Sequence, residues 1–349
     1  MITNTDSSLR IPFSRGVNFS AWFEARSVKE IRFTKYTEQD FANVKSLGAD
    51  VIRLPIAMHN FTLGAPEHAL DPAFLNYLDA AVEWAEKNGI HLIIDNHSFH
   101  PVNPTDTHID NILLKVWAQV AQRYKDRSGF VLYEVLNEPH GIPDSRWGEI
   151  QGAAIEAIRK KDNRHTIIVG GTEFNSIAKL QALPVYDDAN LIYTFHFYDP
   201  HIFTHQGATW GSPSLASLSG VPFPPDENRI PKTPSDLKDT WVEKALGHYE
   251  TGGAEAALNS TLDKAAAFSK TRDVPVFCGE FGVFMIQSPA EDRVKWYEFT
   301  CAALNQRNIS WTGWDYYGGF GLFKTAAGGD FHKDLNIDVV RAMGFTPPA

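Results

Sequence analysis

The 349-residue chain is 43% apolar and 21% charged, enough for a large core, which excludes intrinsic disorder. Its formal charge of −10, with no basic stripe, argues against nucleic acid as a partner. No apolar run reaches the length of a membrane span, so no membrane partner is expected either.

Residues 1–14 read as a polar leader, and 15–349 as one catalytic unit. The first ten residues lack the apolar core of a signal peptide. The protein is therefore expected either inside the cell or exported with its signal outside this chain. Gly16–Val17–Asn18–Phe19 reads as a first strand, and residues 36–47 as a helix stopped by Gly48. Residues 51–54 form a second strand ended by Pro55. Asp71–Pro72 opens a helix as N-cap and first-turn proline, and Asn88–Gly89 closes it. Residues 91–95 are the third strand, and Ile109, Ile112, Leu113, Val116, Val120 and Tyr124 outline a helix at the 3.6 period.

The fourth strand, from Val131 through Leu136, is apolar enough for burial on both faces, with a helix following over about 145–161. The alternation continues through a strand at 165–169, a short helix at 175–181 and a strand at 191–195. A helix over 254–270 precedes the seventh strand at Val274. Ser288–Pro289–Ala290–Glu291 resembles a capping box for a helix running to about Gln306. A strand at 310–314 and a helix at 334–343 complete the chain. Eight strands alternating with eight helices predict a single (β/α)₈ barrel of the α/β class. A doubly wound sheet is the alternative, but no Gly-x-Gly-x-x-Gly turn follows the first strand. Residues 200–253 interrupt the rhythm with a Pro- and Ser-rich excursion after strand six, including a helix expected over 234–249. Long loops on compact scaffolds often serve function, and this one is expected to wall the active face. Cys278 and Cys301 are expected as buried free thiols, and the chain as a monomer.

A barrel gathers the C-terminal ends of its strands on one face. Those ends carry Arg53, Asp95, His97, Asn137, Glu138, His196, Tyr198, Glu280, Trp314 and Asp315. Glu138 follows an apolar strand and precedes a proline, while Glu280 ends another strand between two glycines. Two carboxyls flanking a scissile acetal suit glycoside hydrolysis, one protonated and one ionised. A cation such as Arg53 would keep one charged, while burial raises the pKa of the other. Trp314, Trp22 and Trp210 offer flat faces for sugar rings. Asp95-x-His97, His100 and His196 leave a barrel metallohydrolase as an alternative, but the proton donors and acceptors need no metal, and no metal or cofactor is expected.

Asn137–Glu138–Pro139 and Gly279–Glu280–Phe281–Gly282, with Arg53, His97, Phe195–His196–Phe197–Tyr198 and Trp314 in order, resemble the signature segments of glycoside hydrolase family 5, the cellulase family. The resemblance runs from Gly16 to the last helix. It implies Glu138 as general acid/base and Glu280 as nucleophile, with Arg53 and Tyr198 orienting Glu280. It implies further that Asn137 holds the sugar 2-hydroxyl, that His97 and His196 line the site of the reacting sugar, and that Trp314 is its floor. Phe203–Thr204–His205–Gln206–Gly207–Ala208, followed by Trp210, resembles a loop of bacterial endoglucanases, placing His205 and Trp210 near the leaving group. One departure is a single histidine in Asn96–His97–Ser98, where some relatives have two. The resemblance thus implies a retaining endo-β-1,4-glucanase acting on a β-linked polysaccharide. Mannan, glucomannan, β-1,3-glucan or xyloglucan as substrate, and a barrel that binds carbohydrate without turnover, are the alternatives.

Overall fold

Residues 11–98 and 100–348 are described by a computed structural model. The polar leader expected over 1–14 lies outside the described residues as far as residue 10. Residues 11–14 already belong to the fold, because Phe13 is buried and Ser14 N–H donates to Asp50 Oδ1 at 2.9 Å. Eight parallel strands close a barrel in sequence order: β1 Arg15–Asn18, β2 Val51–Ile56, β3 His91–Asn96, β4 Val131–Glu134, β5 Ile167–Gly170, β6 Leu191–Phe197, β7 Val276–Phe281 and β8 Ser310–Gly313. Closure pairs Arg15 with Trp311, Gly16 with Thr312 and Val17 with Gly313.

The two-residue period of each strand sorts its side chains between interior and exterior. Val51, Ile93, Leu132, Ile168, Ile192 and Phe277 point inward and pack with Phe13 into an apolar cluster of their own. Their neighbours Ile52, Leu92, Ile94, Tyr133 and Val169 point outward into the larger core beneath the helices. Two residues further along β2, β3 and β4 the inward positions are Arg53, Asp95 and Glu134, all buried. The barrel interior is therefore sealed by hydrocarbon at one end and polar toward the other.

Local chemistry explains several helix boundaries. Asp71 accepts from Ala73 N–H at 2.8 Å, and Gly89, at φ 58°, ends the helix Pro72–Asn88 in the left-handed region that glycine favours. Thr37 and Asp40 form a capping box at the helix Glu38–Ser46, with Thr37 N–H donating to Asp40 Oδ2 at 2.8 Å. The box expected at Ser288 does not form. Pro289 takes the N-cap position of the helix Ala290–Gln306, which shifts the frame by one residue and leaves Ser288 Oγ buried without a partner. Asp292, three residues beyond that cap, pairs instead with Arg229 at 2.5 Å.

Other expectations need correction. β4 ends at Glu134 rather than Leu136, although Val135 N–H still donates to Ile168 O at 3.0 Å. The short helix expected at 175–181 is a left-handed run at Glu173, Phe174 and Asn175, with φ 52°, 59° and 58°, followed by a 3₁₀ segment Ile177–Ala182. The helix expected over 234–249 breaks at Asp239, with φ 59°, into a 3₁₀ turn Ser235–Leu237 and a helix Trp241–Gly247 capped by Thr240. The last helix contracts to Ile337–Ala342, capped by Asn336. The excursion packs as a subdomain, burying Phe203, Leu215, Leu218, Val221, Phe223 and Tyr249. Cys278 and Cys301 are buried and unbridged. Among the described residues no helix is long and apolar enough to cross a membrane.

Candidate active site

Arg53 is the hub of the polar end of the barrel, and it is fully buried. Its Nε and Nη2 donate to Glu134 Oε2 and Oε1 at 2.7 and 2.8 Å, a two-pronged grip that fixes the guanidinium plane. Nη1 donates to Asn18 Oδ1 at 3.0 Å and to Glu280 Oε1 at 2.7 Å. Nη2 also donates to Asn137 Oδ1 at 2.8 Å and lies 3.0 Å from Asp95 Oδ2. Burial opposes the charge on Arg53, but Asp95, Glu134 and Glu280 together hold its pKa well above the ordinary arginine value. A buried cation surrounded by carboxylates satisfies the requirement that interior charge be paired.

The two strand-end glutamates occupy different environments. Glu280 accepts from Arg53 at Oε1 and from the Tyr198 hydroxyl at Oε2, the latter at 2.9 Å. Among the described residues no lysine or arginine forms an ion pair with Glu138. Burial raises its pKa to about 7 against the opposing charges of His97 and Arg53. His196 Nδ1 lies 2.7 Å from Glu138 Oε1 and 3.6 Å from Glu280 Oε2. Burial lowers the His196 pKa to about 4, so the ring is neutral at ordinary pH. With its proton assigned to Nδ1, His196 donates to Glu138 Oε1 and leaves Oε2 to carry the acid's own proton. His97 is the opposite case: burial disfavours its charge, but Asp95, bonded to Nδ1 at 2.7 Å, raises the pKa to about 9.

Backbone geometry places these groups. Glu138 itself is left-handed, at φ 45°, which turns its side chain out of the strand direction. Between β6 and β7 the register slips at Phe195/His196, so that Cys278 faces Phe195 and Glu280 faces His196, with Gly279 of β7 as the extra residue. A Cβ at Gly279 would lie 2.9 Å from Thr194 Oγ1 and 3.1 Å from His196 Nε2. Only glycine permits the two strands to approach this closely.

A cleft with two arms opens over the pair. One arm, of about 1050 Å³, is lined by both glutamates, His97, Trp314 and Tyr198 and extends past Glu24 and Lys35. The other, of about 780 Å³, is lined by Glu138 and His196 but not Glu280 and runs past Phe174, His201 and Trp241. His205 and Trp210 border both arms. Trp314 is half-buried and stacks on His97, ring centroids 5.6 Å apart. The structure thus gathers His97, Glu138, His196, Tyr198, His205, Trp210, Glu280 and Trp314 at one cleft, with Arg53 and Asn137 directly beneath. Trp22 is the exception and a correction. It is 3% exposed, stacked on Trp84 and packed against Phe23 and Tyr36, so it is a core residue without a face to offer a sugar.

Asp95, expected at the end of the third strand, joins the network, and Glu134 and Asn18 join it without having been expected in the site. Asn18 donates to Gly279 O at 3.1 Å, tying β1 to the strand that carries Glu280. The signal for Glu134 was an acid inside an otherwise apolar strand, which only a buried cation could have stabilised. Asn137 Nδ2 is buried without a partner among the described residues, a donor ready for an incoming hydroxyl. Glu138, His196 and Glu280 each present one ligand atom within 4.8 Å of the others, a donor set that could hold a cation. Those atoms are already engaged with one another, with Arg53 and with Tyr198, and the adjacent Arg53 charge weakens any such site.

Residues 14–319 match the family model described as Cellulase (glycosyl hydrolase family 5). The chain is 30% identical to Endoglucanase 3 of Fibrobacter succinogenes over 335 residues, covering 89% of this chain and 50% of that protein. It therefore spans half the length of that relative. It is 28% identical to Endoglucanase C of Acetivibrio thermocellus, covering 88% of this chain and 92% of the other. The crystal structure of endoglucanase Cel5A from Thermotoga maritima superposes with a TM-score of 0.78 at 27% identity, covering 95% of this chain and 96% of that one. The same Thermotoga enzyme has been solved with mannotriose and with cellobiose, each at 26% identity to this chain.

Proposed function

The chain belongs to glycosyl hydrolase family 5, the cellulase family, and from that premise we propose that it is a retaining endo-β-1,4-glucanase. The observation that carries the proposal is the contrast between its two glutamates. Glu280 is held by Arg53 and Tyr198, while Glu138, with an oxygen within 4.8 Å, has a pKa pushed up to about 7. Retaining glycosidases need this division of labour and a short separation, since inverting pairs stand roughly 6.5–9.5 Å apart to admit a water.

Glu280 attacks the anomeric carbon of the sugar seated on Trp314, while Glu138 passes its proton to the departing glycosidic oxygen. The bond from carbon to the leaving oxygen breaks as the bond to Glu280 forms. Glu138, now a carboxylate, takes a proton from water, which displaces Glu280 and restores the acid. Arg53 and Tyr198 orient the nucleophile, and their hydrogen bonds stabilise its carboxylate when it leaves. Asn137 Nδ2 meets the sugar 2-hydroxyl, which gives that buried donor its partner. His97, carrying a proton below about pH 9, lines the same sugar. The arm with Glu280 takes the glycone, and the arm reached only by Glu138 takes the leaving sugars. An arm on each side of the pair supports attack within a chain rather than at its end.

The test is reducing-sugar release from a soluble β-1,4-glucan beside glucomannan, mannan and β-1,3-glucan, with Glu138→Gln as control. Product anomers are followed by NMR. Preferred release from the β-1,4-glucan with a β-anomer formed first supports the proposal. An α-anomer formed first overturns retention. Preference for mannan would keep the mechanism and change the substrate, a second reading favoured by the mannotriose complex of the Thermotoga relative.

A further inference from the structure

The two arms of the cleft differ in charge. The glycone arm is lined by Arg26, Arg32 and Lys35 on one side. Of its acids, Glu280 is bound by Arg53, Glu138 meets His196, and Glu24 and Asp315 act on Lys35, whose Nζ donates to Ser20 O at 2.6 Å. Arg26 and Arg32 are exposed and form no salt bridge among the described residues. Among the described residues the aglycone arm is lined by Glu138, Glu173 and Asp199 and by no lysine or arginine. Burial keeps its histidines His196 and His201 neutral, with pKa values of about 4. On a chain of net charge −10, two unpaired guanidinium groups beside a substrate channel form a local field opposite to that of the whole.

We propose that Arg26 and Arg32 bind a carboxylate borne by the glycan on its glycone side, beyond the sugar over Trp314, while the aglycone arm excludes the same group. The inference rests on the glycan-hydrolase reading above and adds to it a charge preference with a direction along the chain. The planar N–H donors of a guanidinium match the two acceptor oxygens of a carboxylate. Both are solvent-exposed, so the contribution of each is modest and sensitive to salt.

The experiment compares kcat/KM on carboxymethylcellulose with kcat/KM on hydroxyethylcellulose of matched length. Wild type is run against the double variant Arg26→Gln/Arg32→Gln and the charge-retaining Arg26→Lys/Arg32→Lys, at low and high sodium chloride. The carboxymethyl-to-hydroxyethyl ratio should fall about threefold to tenfold in the glutamine variant, chiefly through KM, and far less in the lysine variant. High salt should lower the wild-type ratio and leave the glutamine variant's ratio in place. Mass spectrometry of the products should find carboxymethyl groups on the glycone fragments and none on the first sugar of the aglycone fragments. A ratio indifferent to substitution and salt, or substituents equally frequent on both sides of the cut, overturns the inference while leaving the hydrolase intact. Absence of turnover on both polymers overturns the hydrolase reading and the inference with it.

Discussion

In the proposed mechanism Glu138 must hold a proton to serve as the acid, and its pKa of about 7 should therefore set the alkaline limb of activity. kcat/KM should fall about tenfold per pH unit above that value, measured on a substrate whose leaving group needs protonation. The same shift affects stability. Its folded pKa lies above the ordinary 4.5, so the stabilisation is full below about pH 4.5 and is lost as pH rises through 7. Glu138→Gln removes that titration. It should lower kcat by roughly 10²- to 10⁴-fold, yet raise stability at pH 8 by about 1–3 kcal/mol in chemical denaturation. His97, at about 9 against an ordinary 6.5, adds a second alkaline loss of stability between those values. His97→Gln should flatten the decline of stability above pH 7, read from melting temperatures at successive pH values. For Glu280→Ala, turnover should vanish while the melting temperature holds, because Arg53 keeps Glu134 and Asp95 as partners.

Arg53, His196 and Glu280 lie on strands and Glu138 four residues beyond the end of β4, and their placement depends on contacts between strands. Gly279 lets β7 close onto Thr194 and His196, so Gly279→Ala should cost about 1–3 kcal/mol by overpacking and lower kcat by shifting Glu280. Glu134 lies at the same level as Asp95, its partner across the β3–β4 ladder. Glu134→Ala leaves a buried guanidinium without its two-pronged partner, and a loss of about 3–5 kcal/mol is expected in urea unfolding, with activity reduced as well. A small loss in that experiment would mean that Asp95 and Glu280 alone suffice to hold Arg53. The left-handed run Glu173–Phe174–Asn175 is the strained element on the aglycone side, and it holds Phe174 stacked on His140 at 4.2 Å.

For the molecule as a whole, the decisive feature is a cleft that continues on both sides of the catalytic pair, walled by the packed excursion after β6. Viscosity of a soluble glucan should therefore drop well before most reducing ends are released. A proportional fall in both would indicate attack at chain ends. The excursion contributes Trp210 and Trp241 to the cleft, while its own buried core holds the wall in place.

The barrel was legible because its evidence is local. Apolar strands, the Asp71–Pro72 opening and the Gly89 stop each follow from short-range physics that any reader of the chain can apply. The pair Glu138 and Glu280 was legible too, as polar residues at the ends of strands that a barrel must bring to one face. Local reading failed where long-range packing decides. The amphipathic signal of an aromatic does not say which side of a wall it joins, and Trp22 was drawn inward by Trp84 and Tyr36. Glu134 was hidden in an apolar run because its stability depends on Arg53, 81 positions away. The positions of the two carboxyls proposed for general acid–base and nucleophilic chemistry were thus legible in the sequence itself. Which glutamate is gripped by a guanidinium and a phenol, and which has its pKa raised by burial, was decided only in the tertiary structure, where Arg53 and Tyr198 meet Glu280 and burial falls on Glu138.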